Sequence, residues 1–148
     1  MDTSLLLAKQ RVWEGYRPTV YDDATGAPIR QSSYVKGNPT IGIGRNLTIP
    51  LSDAAIDFLW NESVQEALGN ASTFPWFAWL SEPRQLAICD MEFNIGHGTL
   101  LTFTTFLSLM AAGNFGGAAD DLETTEWYKQ DGERAEYVTN AIRTGAWP

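Results

Sequence analysis

Between residues 17 and 48 the chain cannot be one helix. Pro18, Gly26, Pro28, Gly37 and Pro39 recur through it, and that density of helix-breaking residues defeats a helical period. The pieces between them are β-prone: Thr19-Val20-Tyr21, residues 29–35, and Thr40-Ile41-Gly42-Ile43-Gly44. Short pieces separated by turn residues predict a small antiparallel sheet. In the last piece side chains should alternate, with Ile41 and Ile43 entering the core and Thr40, Gly42 and Gly44 sharing a bare opposite face.

On both sides of this stretch the pattern is helical. Leu5, Leu6, Ala8, Val12 and Trp13 make an apolar face over about residues 4–14, with Gly15 as a stop. After Pro50, Ser52 is a natural N-cap for a helix carrying Ile56, Leu59, Trp60, Val64, Ala67 and Leu68, which Gly69 should end. Further helices are expected at about 82–95, 103–112, 115–124 and 132–143, parted by Gly96-His97-Gly98, Gly113-Asn114 and Asp131-Gly132. The whole, residues 1–148, reads as one α+β domain. Its small β lobe covers about 15–50, and its larger helical lobe covers about 51–148 together with helix 4–14.

Composition narrows the chemistry. The chain has one His and one Cys. A catalytic zinc site draws several ligands from such residues, and nucleophilic triads would have to run through His97 alone. No metal and no cofactor are expected, and carboxylates are left as the reactive groups. The net charge of -8 makes nucleic acid a poor partner. That charge is uneven: residues 1–48 hold six basic against four acidic side chains, and the remainder holds four against fourteen. No apolar run suits membrane insertion. The N-terminal residues lack the basic head and cleavage site of a signal peptide, so a cytoplasmic origin is expected.

Among eighteen acidic residues, Glu14 stands out. The end of a helix disfavours a negative charge there and raises the carboxyl pKa, which suits a general acid. Asp23 follows after eight intervening residues, and chain reversal could set it opposite. Two carboxyls in different environments are what glycoside hydrolysis requires.

Glu14, Asp23 and the threonine opening Thr40-Ile41-Gly42-Ile43-Gly44 resemble the phage T4-type lysozymes of glycoside hydrolase family 24. Met91-Glu92-Phe93-Asn94-Ile95-Gly96 resembles that family's central helix. Trp127-Tyr128-Lys129-Gln130, Arg134-Ala135 and Arg143-Thr144-Gly145-Ala146-Trp147 resemble its C-terminal stretch in the same order. The resemblance implies a lysozyme-like fold with a cleft between the lobes. It also implies cleavage of the β-1,4 bond between N-acetylmuramic acid and N-acetylglucosamine, by inversion. Glu14 would protonate the leaving oxygen, Asp23 would stabilise the transition state and position water, and Thr40 would help hold that water. Arg134 matches an arginine that pairs with the catalytic glutamate. Gly42, Gly44 and Trp127 would support the site, and Phe93 and Asn94 match cleft residues.

Departures from the pattern fall mostly on saccharide contacts. Sixteen residues separate Asp23 from Thr40, a longer spacing than the family's, and Asp22 competes for the aspartate role. Arg45 replaces a histidine and Asn46 an apolar cleft residue. Phe106 replaces a small hydroxyl residue and Asp121 an asparagine. The partner implied is peptidoglycan, met by a monomeric endolysin that waits in the host cytoplasm for a holin. A lytic transglycosylase and a non-catalytic glycan-binding module are the alternatives. For the remaining candidates, His97 reads as a loop residue at a helix end, Cys89 as a buried small hydrophobe, and Trp127 as core. Trp76, Phe77 and Trp79 read as a cap on the core.

Overall fold

The computed structural model describes residues 3–147; within them, the side chains of Leu5, Leu7 and Glu14 lie outside the description. The chain divides into two compact units, residues 1–56 and 57–148.

The first unit holds α1 (Ser4–Glu14), β1 (Arg17–Asp22), β2 (Pro39–Gly42) and β3 (Arg45–Asn46). The strands form an antiparallel sheet in the order β1-β2-β3. Tyr21 lies opposite Thr40, and Thr40 opposite Asn46. Two expectations fail here. Residues 29–35 form no strand: Arg30 and Ser33 close a turn through the Ser33 N–H on the Arg30 carbonyl and the Arg30 N–H on Ser33 Oγ, and Ser32 takes a positive φ of 68°. Nor does alternation continue to Gly44. Gly42 and Gly44 adopt φ of 67° and 73°, which turns the chain back after Gly42. Ile43 therefore sits on the turn, 41% exposed, and Ile41 is only half-buried; neither joins the core, and Thr40, expected on the bare face, is the buried side chain of β2.

α2 (Asp53–Ala71) begins where Ser52 predicts, with Ser52 Oγ accepting the Ala55 N–H at 3.3 Å. It runs through Gly69. A lone interior glycine costs a helix only about 1 kcal/mol, and the buried Ala67 and Ala71 flank this one.

The second unit continues from α2 through a 3-10 turn (Phe77–Trp79) into α3 (Glu82–Ile95), α4 (His97–Leu100), α5 (Thr104–Ala111), α6 (Phe115–Glu123), α7 (Glu126–Asp131) and α8 (Glu133–Thr144). The four helices read from periodicity are present within a residue or so at each end. The short α4 and α7 were not read, because a single helical turn carries too few residues to show a period. Polar caps start α6 and α7: Asn114 Oδ1 accepts the Gly117 N–H, and Thr125 Oγ1 accepts the Tyr128 N–H.

Among the described residues, every buried hydrophobic side chain lies between Ala67 and Ile142. Phe106, Ile88, Met91, Leu100 and Met110 are the largest wholly buried ones. Trp76 and Phe77 join this core as expected, but Trp79 is 85% exposed. The first unit is held instead by its ladder and by polar side chains. No helix of the described residues is long and apolar enough to cross a membrane.

Candidate active site

Asp22 and Asp23 are neighbours with opposite surroundings. β1 ends at Asp22, so alternation turns one carboxylate inward and the next outward. Asp22 is buried. Its Oδ1 accepts the N–H groups of Ala24 at 2.9 Å and Gly37 at 3.0 Å, and its Oδ2 accepts that of Lys36 at 2.8 Å. The Lys36 bond foremost holds its pKa below the ordinary aspartate value, against the opposing effect of burial. Asp22 is thus fully engaged in pinning both ends of the loop 24–38.

Asp23 is exposed. Its two carboxylate oxygens are held by one residue, Asn38, through the main-chain N–H at 2.7 Å and the side-chain amide at 3.0 Å. These two bonds, the main-chain one first, keep its pKa below the ordinary value despite partial desolvation and the charge of Asp22. An ionised, accessible carboxylate results. The geometry distinguishes the two aspartates: only Asp23 offers its carboxylate to solvent.

Thr40 lies in β2 and is 3% exposed. Its hydroxyl donates to the Asn38 carbonyl at 3.2 Å. Asn38 thereby joins Asp23 to Thr40. Sequence reasoning missed it, since nothing at residue 38 announces a bond to residue 23 beyond its place before Pro39. Gly37 is equally constrained: a Cβ there would overlap Asp23 Oδ1 and crowd Ala24.

Glu14 is the last residue of α1, followed by Gly15 with φ 73°. Its side chain lies outside the described residues, as does the pairing expected with Arg134. Gly42 serves by its backbone conformation, with φ 67°, and a Cβ there would meet no protein atom within 4 Å. Asn46 Oδ1 accepts from the Thr48 N–H and hydroxyl, fixing the turn after β3.

In the second unit the predicted residues scatter. Phe93 is 45% exposed and lines two cavities. One, of about 340 Å³, includes Trp60, Cys89, Arg134 and Trp147. The other, of about 390 Å³, includes Asn70, Glu92 and His97. Asn94 accepts the indole N–H of Trp127 on its Oδ1 at 2.9 Å, which makes Trp127 a buried brace. Arg134 forks onto Asp90, Nε to Oδ2 at 2.9 Å and Nη2 to Oδ1 at 2.8 Å. Asp121 borders a shallow, threonine-rich cavity of about 250 Å³. Phe106 is the clear correction. It is 0% exposed and so has no surface to offer a saccharide. His97 is not a loop residue but the first of α4, with Nδ1 2.9 Å from Glu92 Oε1. The Cys89 thiol, half-buried, is pushed up in pKa first by burial and then by Glu92. Among the described residues no three metal-ligating side chains cluster.

A small antiparallel sheet carrying an ionised aspartate and a buried threonine, followed by a helical unit with its own core, defines an α+β protein of lysozyme-like fold. The family model for phage lysozyme matches residues 11–141, and the chain belongs to the phage lysozyme family. It is also similar to the pre-baseplate central spike protein Gp5 of Enterobacteria phage T4, 26% identical over 151 positions. That match covers 89% of this chain but 26% of the spike protein, so the chain spans about a quarter of its relative's length.

Proposed function

We propose that the chain is an endolysin that hydrolyses the β-1,4 bond between N-acetylmuramic acid and N-acetylglucosamine in bacterial peptidoglycan. The observation that carries the reading is the family match over residues 11–141, which takes in Glu14, Asp23 and Thr40. Glu14, at the C-terminal end of α1, is placed where the helix dipole favours the protonated form. It gives its proton to the glycosidic oxygen as the bond from the anomeric carbon to that oxygen breaks. Asp23, held ionised, faces the positive charge that develops on the sugar ring. A water held by Asp23 and Thr40 adds to the anomeric carbon and yields a proton to Asp23, which releases it to solvent, while the resulting Glu14 carboxylate is reprotonated from solvent. Attack by water on the face opposite the leaving group gives inversion.

The excess of basic residues in 1–48 suits an anionic wall. On this reading the protein acts as a monomer and reaches the wall from the host cytoplasm once a holin has opened the membrane.

Turbidity of a cell-wall suspension tests the reaction. The wild type clears it and Glu14→Gln does not; equal clearing by both overturns the assignment. NMR of the first products reports the anomer, and an anhydro sugar in their place identifies a lytic transglycosylase. The chain's presence in purified phage particles would overturn the endolysin role and leave the enzymatic one standing.

A further inference from the structure

Asn38 sits between the two residues assigned to the attacking water. Its main-chain N–H and its amide each hold one oxygen of Asp23. Its carbonyl accepts both the Asp23 N–H at 3.1 Å and the Thr40 hydroxyl at 3.2 Å. A carboxylate has about four lone-pair sites. Asn38 occupies one on each oxygen, which fixes the carboxylate plane, and the Ala24 main-chain N–H adds a weaker contribution. A hydroxyl has a single proton. With that proton on the Asn38 carbonyl, Thr40 Oγ1 has only lone pairs left to offer. A water bound to both residues must then donate to both, and its own lone pairs point away from them.

We propose that Asn38 is a positioning residue for glycan hydrolysis: it locks the Asp23 carboxylate and makes Thr40 an acceptor, so that the attacking water is held by its protons with a lone pair directed outward. The inference rests on the reading of Asp23 and Thr40 given above. The electrostatics agree. Asp22 is the charged neighbour that opposes ionisation of Asp23. Among the described residues no ion pair reaches Asp23. Among the described residues its carboxylate is therefore stabilised by hydrogen bonds, those of Asn38 first and that of the Ala24 main chain after them, and not by a cation.

The test compares Asn38→Ala, Asn38→Asp and Asp23→Asn in kinetics on soluble peptidoglycan fragments, with a carboxyl-carbon NMR titration of Asp23. Each Asn38 variant keeps the main-chain N–H. Asn38→Ala is expected to lower kcat about tenfold, the effect of losing one bond to a charged group, with KM held within about twofold. It should also raise the Asp23 pKa. Asn38→Asp keeps the shape but faces one carboxylate with another. It should raise the Asp23 pKa further and move the acidic limb of the kcat profile to higher pH. Wild-type kcat and an unmoved Asp23 titration in both variants, alongside an inactive Asp23→Asn, overturn the inference and leave the reading of Asp23 intact. Full activity in Asp23→Asn removes that reading and the inference with it. If Asn38→Ala loosens the loop, seen as lost amide protection at Lys36 and Gly37, the isosteric Asn38→Asp decides the question alone.

Discussion

Asp22 Oδ2 accepts the Lys36 amide at 2.8 Å across a separation of fourteen residues. With the Ala24 and Gly37 bonds to Oδ1, this knot closes the loop on itself. Asp22→Asn replaces one acceptor oxygen with a donor that faces an N–H group. Hydrogen exchange at Ala24, Lys36 and Gly37 should accelerate by at least about tenfold, while amides of α3 and α8 stay protected. Unchanged exchange at the three loop amides would show that the knot is held by something else.

The same carboxyls set the acid limit of the first unit. Asp22 and Asp23 are held below the ordinary aspartate value by the hydrogen bonds they accept from Lys36 and Asn38 respectively. A depressed folded-state pKa stabilises above the unfolded value, and that stabilisation is lost as pH falls through the folded value. Loop protection should stay constant from neutrality down to about pH 4 and fail below it. Exchange measured at a series of pH values, corrected for intrinsic rates, checks this. Loss of protection already near pH 6 would contradict it.

Gly37→Ala should damage activity and stability together. The added Cβ overlaps Asp23 Oδ1 and also the main-chain nitrogen and Cβ of Ala24, so moving the aspartate alone cannot relieve it. We expect kcat to fall by about tenfold or more, with a lowered thermal midpoint. Wild-type kcat and an unchanged midpoint would show that the loop has room for the side chain.

Phe106→Ala separates core from cleft. Removing a wholly buried phenylalanine costs about 3–5 kcal/mol, read by urea unfolding. A saccharide contact would raise KM and leave stability alone, which is the opposite pattern.

The helical unit was largely legible in the sequence because its helices are amphipathic and bounded by Gly96, Gly113, Gly132 and Gly145, all of which take positive φ. The sheet was legible in kind but not in register. Residues 29–35 look β-prone, yet side-chain and turn bonds at Arg30 and Ser33 supply an alternative to a ladder. Alternation through Thr40 and Ile41 ends at Gly42, where a left-handed backbone resets which way side chains point. Resemblance named Asp23 and Thr40 for the site, but not Asn38, whose part depends on contacts over fifteen residues of chain that no local pattern encodes. It also misplaced Phe106, since a change of residue type can mean a refilled core as easily as a reshaped cleft.

The knot at Asp22 separates geometry from length. Its bonds tie residues 24, 36 and 37 to the end of β1, so residues 30–35, with the exposed Tyr34, hang from a closed ring. Enlarging such a ring costs only about 0.6 kcal/mol per doubling. Residues 30–35 can therefore change in length and sequence without loosening the base of the loop, which Asp22 holds.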